Sequence, residues 1–199
     1  MFRAFHVAIV LMLFCGFAEA QERSGGESDS GMIYGKNYAF TLTAPKGWVL
    51  DNTSGRSQGL QAVFYREGSS WDKGAAVMYA NVYLKRDSKE ESLEKVIADD
   101  VAEYKKRSAK LKVTDAEPLP TRRDERVKDK KAAVKYFTGD ENGNEEAVAY
   151  IAESQVVVML VLTARTKKDF ESSLPAFKEL VGSYFFLGGR VVSQESPSP

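Results

Sequence analysis

Val156 to Leu162 is an unbroken run of seven apolar residues, four of them valine. A strand built this way carries bulk on both faces, whereas an antiparallel sheet with one wet face shows polar residues at every second position. The run is short, rich in β-branched residues and preceded by the polar break Glu153-Ser154-Gln155, which favours a strand over a helix. Upstream, Glu145 to Ala152 is a second, mostly apolar run. Together the two predict a β-hairpin at the centre of a sheet covered on both sides. Each large side chain buried there contributes roughly 1.5–3 kcal/mol, an upper bound because the unfolded chain is partly compact.

Two stretches have the helical period needed to cover such a sheet. Ser88-Lys89-Glu90-Glu91 has the form of a capping box, and Leu93, Val96, Ile97, Val101 and Tyr104 follow as an apolar stripe ending near Arg107. From Thr166, the residues Phe170, Leu174, Phe177, Val181 and Tyr184 share a face, and Pro175 within them predicts a kink or two short helices. Further strands are expected at Tyr38–Thr43, Leu60–Tyr65, Ala75–Leu84, Leu111–Leu119 and Ala132–Thr138. Asn142-Gly143 predicts a tight turn into the central hairpin, because a primed turn needs positive φ. The resulting fold class is α+β, an antiparallel β-sheet sandwiched between helices.

The first twenty residues have the pattern of a signal peptide: Arg3, an apolar core from Val7 to Phe14, and Ala18-Glu19-Ala20 as a small-x-small cleavage site after Ala20. Lipidation at Cys15 is the alternative, and Leu13-Phe14 fits it badly. The apolar run is too short for a stable span, and no later stretch reaches that length. Export to a periplasm or the outside follows. Residues 21–32 are polar and glycine-rich and predict a flexible leader; a single domain over 33–187 and a disordered tail over 188–199 complete the chain.

Cleavage changes the chemistry available. The one cysteine, Cys15, and the one histidine, His6, both lie in the segment removed. The mature chain then has no imidazole and no thiol, which excludes Ser-His-Asp and Cys-His catalysis and Cys/His zinc sites. Carboxylate, tyrosine, lysine and hard-metal chemistry remain. The net charge is zero, with 28 basic and 28 acidic residues, so no broad basic surface calls for nucleic acid or an anionic membrane.

Four groups of residues are candidates for function. Asp100 falls inside the apolar helix stripe: it is either a buried carboxylate with a raised pKa, suited to acid–base work, or a structural acid bonded to a tyrosine, lysine or backbone group. Tyr79, Asn81 and Tyr83 share one face of a strand, where they either line a polar ligand pocket or pack under a helix with their polar tips bonded. Asp140, Asn142, Asn144 and Glu146 place oxygens at alternate positions as calcium loops do, without the EF-hand spacing; an Asn-Gly hairpin turn explains the same residues. Trp71, in a polar loop, is either a contact for a protein partner or folded back onto the domain. Ser92-Leu93-Glu94-Lys95 matches Ser-x-x-Lys but lacks the companion motifs of penicillin-interacting enzymes.

The segment from Phe40 to Trp48, a strand followed by Pro45-Lys46-Gly47-Trp48, resembles the opening of Mog1/PsbP-like domains. Leu174-Pro175-Ala176-Phe177 and then Val181-Gly182-Ser183-Tyr184-Phe185-Phe186 are similar to their closing helix and last aromatic segment. The resemblance covers about residues 33–187. It implies an antiparallel sheet between helices, and a binding or accessory role, as in photosystem II extrinsic subunits, a nuclear-transport factor and exported bacterial proteins. It brings no family-wide catalytic motif. Metal ligands proposed for the photosynthetic members include histidine, which the mature chain lacks. The expected function is an exported, non-enzymatic binding module for a protein partner, with loops 51–59, 66–74 and 121–131 as contact surfaces. The alternative is a small-ligand or calcium-binding protein, with carboxylate-dependent hydrolysis as its enzymatic form.

Overall fold

A computed structural model describes residues 30–86, 91–108, 110–123 and 130–188. The expected signal peptide, the leader up to residue 29, Ser88, residues 124–129 of the charged stretch and the tail from 189 lie outside the described residues. In chain order the elements are β1 (Ser30–Gly35), β2 (Tyr38–Thr43), β3 (Trp48–Asp51), a 3-10 turn (Arg56–Gln58), β4 (Ala62–Arg66), β5 (Ala76–Leu84), α1 (Leu93–Arg107), β6 (Lys112–Pro120), β7 (Lys131–Thr138), β8 (Glu145–Ala152), β9 (Val156–Ala164), α2 (Lys167–Ser183) and β10 (Phe185–Gly188).

Seven strands form an antiparallel sheet in the order β3-β4-β5-β9-β8-β7-β6, and a smaller sheet runs β1-β2-β10. The β8–β9 hairpin sits in the middle of the larger sheet, with β9 bonded to β8 on one side and to β5 along its whole length on the other. Of the apolar run, all but Met159 is buried. Its two faces enter two different cores. Val156, Val158, Leu160 and Leu162 pack with Phe177, Leu180 and Val181 of α2 and with Phe40 and Leu42 of β2. Val157 and Val161 pack with Val96 of α1, and Ile97, Val101 and Tyr104 close over them. The expected helix–sheet–helix arrangement is therefore present, and the small sheet joins α2 on its side.

Several local expectations need correction. Ser30, Gly31 and Met32 are not leader but the start of β1, which turns through Lys36-Asn37, with Asn37 at φ 72°, into β2. Only Ile33 of β1 is fully buried, so the strand shows little apolar alternation. The helix cap is Ser92, whose Oγ accepts from the Lys95 N–H at 3.3 Å. The Glu91 carboxylate accepts from the Tyr83 hydroxyl at 3.1 Å and the Arg86 N–H at 2.8 Å; the bond expected between Glu91 and Ser88 lies outside the described residues. Helix α2 runs unbroken through Pro175. That proline lies on the exposed side, so the carbonyl of Glu171, also exposed, meets solvent instead of a missing N–H. β6 matches the expected strand to within a residue at each end; Pro118 and Pro120 are tolerated in it because it is an edge strand, and the register slips between Ala116 and Leu119.

The turn before β8 is longer than a two-residue hairpin. Gly139 and Gly143 both take positive φ, at 74° and 79°. The Asp140 carboxylate organises it, accepting from the Asn142 N–H at 2.5 Å and the Asn144 N–H at 3.2 Å.

Candidate functional site

The strand registers decide which side chains meet under α1. Glu146 lies opposite Thr163, Val148 opposite Val161 and Tyr150 opposite Met159. Tyr79 of β5 also pairs with Val161. These alternate residues therefore share the face that α1 covers. The helix presents Val96, Asp100 and Tyr104, spaced four apart, and so stacked on one side.

Polar groups in this layer bond to one another. The Tyr150 hydroxyl donates to Asp100 Oδ2 at 2.5 Å. The Tyr104 hydroxyl donates to Glu146 Oε2, and a Thr163 side-chain bond adds to the same carboxylate. The Tyr104 ring stacks on Phe137 with centroids 4.2 Å apart, and the Arg107 guanidinium carbon lies 5.7 Å from the Tyr104 ring centroid. Trp71 meets Tyr79 edge to face at 6.0 Å. Burial pushes the Glu146 and Asp100 carboxyls above the usual carboxylate range, although their tyrosine donors pull the other way. Burial also raises Tyr79, Tyr104 and Tyr150, and the Glu146 and Asp100 charges raise them further. Each tyrosine stays protonated at neutral pH. The arrangement is a closed clamp between helix and sheet.

The candidates named from the sequence thus divide. Tyr79, Asp100 and Glu146 come together, joined by Tyr104 and Tyr150. Asn81 is exposed, and its Oδ1 accepts from the neighbouring Val82 N–H at 2.8 Å. Tyr83 is held by Glu91 near the start of α1. Asp140 spends both oxygens on its own turn, since the Asn144 side-chain amide takes Oδ2 at 3.3 Å. Asn142 is exposed. Among the described residues, no group of three or more Asp, Glu, His or Cys side chains is placed to hold a metal ion. Trp71 folds back on the domain. Its loop presses onto the sheet at Gly74, where a Cβ would lie 2.6 Å from Val77 Cγ1.

A second site has one wall on the 51–59 loop expected as a contact surface, while its other wall, β1, was not foreseen. A cleft of about 460 Å³ opens between β1 and the β3–β4 connection, lined by Met32, Tyr34, Asn52, Arg56, Leu60 and Gln61. Met32 and Tyr34 are 58% and 57% exposed, unusual for large apolar side chains at alternate positions of one strand. Asp51 orders the opposite wall: its carboxylate accepts from the Thr53 and Ser54 backbone N–H groups, from both their hydroxyls, and from the Tyr65 hydroxyl at 3.0 Å. Partial burial alone would raise this carboxyl, but the Ser54 and Thr53 donors outweigh it and hold it far below the usual range. Arg56 donates through Nε to the Asn52 carbonyl at 2.9 Å, and no carboxylate among the described residues pairs with its guanidinium.

No protein-family model and no curated protein matches the sequence. Solved structures do match. The cyanobacterial PsbP of Synechocystis sp. PCC 6803 aligns with a TM-score of 0.50 at 10% identity, over 81% of this chain and 95% of that one. LpqN of Mycobacterium tuberculosis, involved in cell envelope biogenesis, aligns with a TM-score of 0.52 at 12% identity, over 79% of this chain and 90% of that one. The Ran-binding protein Mog1p of Saccharomyces cerevisiae reaches 0.49 at 14% identity, over 80% and 95% of the two chains. No helix among the described residues is long and apolar enough to cross a membrane. At such identities the likeness shows the fold alone: the chain shares the α+β architecture of the PsbP and LpqN structures.

Proposed function

We propose that the protein is an exported, non-enzymatic binding module that docks a protein partner at the β1 cleft. The observation that carries this is the cleft itself: two exposed apolar side chains, Met32 and Tyr34, facing an ordered loop that holds out Arg56, which no carboxylate among the described residues pairs with. The clamp under α1 supports a scaffold role for the other polar cluster, because its carboxylates and tyrosines are committed to one another. Export rests on the pattern of the first twenty residues. LpqN, which has this fold, is involved in cell envelope biogenesis, a setting that suits an exported module; folds host many functions, so the cleft and not the fold bears the weight.

The test is site-specific photo-crosslinking in producing cells, with the reactive residue at Tyr34 and, as control, at the exposed Glu171 of α2. A discrete adduct at Tyr34, absent at Glu171 and lost with Arg56→Glu, is expected. Equal capture at both positions, or none at Tyr34, would overturn the proposal.

A further inference from the structure

Resting on that reading, we propose that the occupant of the cleft is an extended peptide segment, added as a further strand along the free edge of β1, with an apolar side chain against Met32, Tyr34 and Leu60 and a carboxylate on Arg56.

The edge is open. Within the small sheet β1 bonds to β2 alone, and no other backbone hydrogen bond among the described residues involves 30–35. Edge strands are usually blunted by proline, charge or a bulge. Here Ser30-Gly31-Met32-Ile33-Tyr34-Gly35 has no proline and no charge, and pairs with β2 in continuous register. At 6 residues it has the usual length of a strand.

The larger sheet ends beside it. Its edge strand β3 approaches so closely that a Cβ at Gly31 would lie 2.9 Å from Leu50 Cδ1. The cleft therefore lies where the open edges of both sheets converge, and its far wall is the loop that leaves β3. Strand addition supplies affinity through main-chain bonds and selectivity through pockets for alternate side chains. Met32 and Tyr34 stand at alternate positions, as such pockets require.

Charge selects the partner's chemistry. Arg56 is the one cationic side chain lining the cleft, and Asn52 and Gln61 beside it are neutral amides. With Nε already fixed on the Asn52 carbonyl, the remaining guanidinium donors are preorganised for a carboxylate. Asp51, the acid nearest in sequence, is saturated by its own loop and does not compete.

The test uses purified protein and fluorescent peptides of about ten residues, a common strand length. Each alternates threonine and valine around a central phenylalanine, with an aspartate two positions on. Saturable binding is expected, weakened about tenfold or more when lysine replaces the aspartate or when backbone nitrogens along one edge are methylated. Arg56→Glu should invert the aspartate–lysine preference, Tyr34→Ser should weaken both peptides, and amide exchange at 30–35 should slow on binding.

Binding indifferent to charge and to methylation, or protection that spares β1, overturns the proposal. So does binding that appears only in a variant lacking residues 189–199, which would make the chain's own tail the occupant. Self-association abolished by Tyr34→Ser would assign the edge to a second copy and overturn it likewise. If no peptide binds while Tyr34 still crosslinks to a partner, strand addition fails and the binding module stands; if neither occurs, both fail.

Discussion

Tyr150, on β8 near the middle of the larger sheet, donates its hydroxyl to the Asp100 carboxylate of α1 at 2.5 Å. That bond explains how an aspartate is tolerated in an apolar helix stripe: its acceptor capacity is spent on the sheet beneath. Tyr150→Phe removes the donor and leaves a half-buried carboxylate short of a partner. A loss of about 1–3 kcal/mol in urea denaturation is expected. In a double-mutant cycle with Asp100→Ala the two losses should fall well short of additive, because the residues share one bond. Full additivity would show that the bond does not form in solution.

Stability should pass through a maximum on the acid side of neutrality. Burial raises Glu146 and Asp100, so in the folded state they hold protons that the unfolded chain has released. Between the ordinary carboxylate pKa of about 4 and those raised values the folded state binds more protons, and stability falls as pH rises. Tyr79, Tyr104, Tyr150, Arg107 and Asp140 face the pair, and the tyrosines stay neutral across this window. Asp51 acts oppositely. Its depressed pKa gives stability that is present above about pH 4 and lost as pH falls through the folded value; solvent exposure keeps that contribution small. Glu146→Gln with Asp100→Asn keeps the acceptor oxygens and should add roughly 0.5–2 kcal/mol at neutral pH, flattening the falling limb. Asp51→Asn should flatten only the acid limb. Thermal melts across a pH series would check both, and an unaltered profile in the double variant would count against the assignment.

The parts of the fold visible in the sequence are those where burial is two-sided or strongly periodic. Val156–Leu162 carries bulk on both faces, and α1 and α2 each show a clear stripe, so the central strand and both layers above it were legible. β1 was not, because its inward positions are Gly31, Ile33 and Gly35, and two glycines leave no apolar alternation to see. The cap of α1 was placed four residues early, because Ser88 and Ser92 both precede the apolar stripe and either can cap a helix; the structure begins the helix after Ser92. At the site, Asp100 was conspicuous as a charge in an apolar stripe, yet its partner Tyr150 and the Tyr104–Glu146 pair depend on strand register, which only the assembled sheet defines. Of the cleft, the 51–59 loop was expected as a contact surface, but its pairing with Met32 and Tyr34 was hidden for the same reason, since the approach of two sheet edges brings them together.

Glu153 ties three separate segments together. Its side chain is only 7% exposed and receives Lys130 Nζ and the Tyr184 hydroxyl, the latter at 2.8 Å. Its main-chain carbonyl takes Lys85 Nζ at 2.8 Å. Glu153→Ala strands the largely buried Lys130 ammonium and should cost roughly 3–5 kcal/mol, whereas Tyr184→Phe should cost about 1 kcal/mol. Lys130→Met combined with Glu153→Leu should recover much of the larger loss, because a buried ion pair exchanged for apolar side chains is often near neutral. Chemical denaturation of the three variants would decide the matter. A Glu153→Ala cost no greater than that of Tyr184→Phe would mean that Lys130 is paired with solvent instead.

Pro175 offers the opposite sign. It lies inside α2, where proline costs about 3 kcal/mol relative to alanine, and its exposed position limits the packing that could offset this. Pro175→Ala restores an N–H for the Glu171 carbonyl. Part of the gain is lost because alanine loosens the unfolded chain, by about 0.4–1 kcal/mol. A net stabilisation of about 1–2 kcal/mol should follow, which for a chain of this size raises Tm by roughly 2–8 °C. The gain should appear without any change in peptide binding at β1, since α2 lies against the other face of the large sheet from α1 and away from the cleft's lining residues. A lower Tm would show that the ring stiffens α2 in a way its missing hydrogen bond conceals.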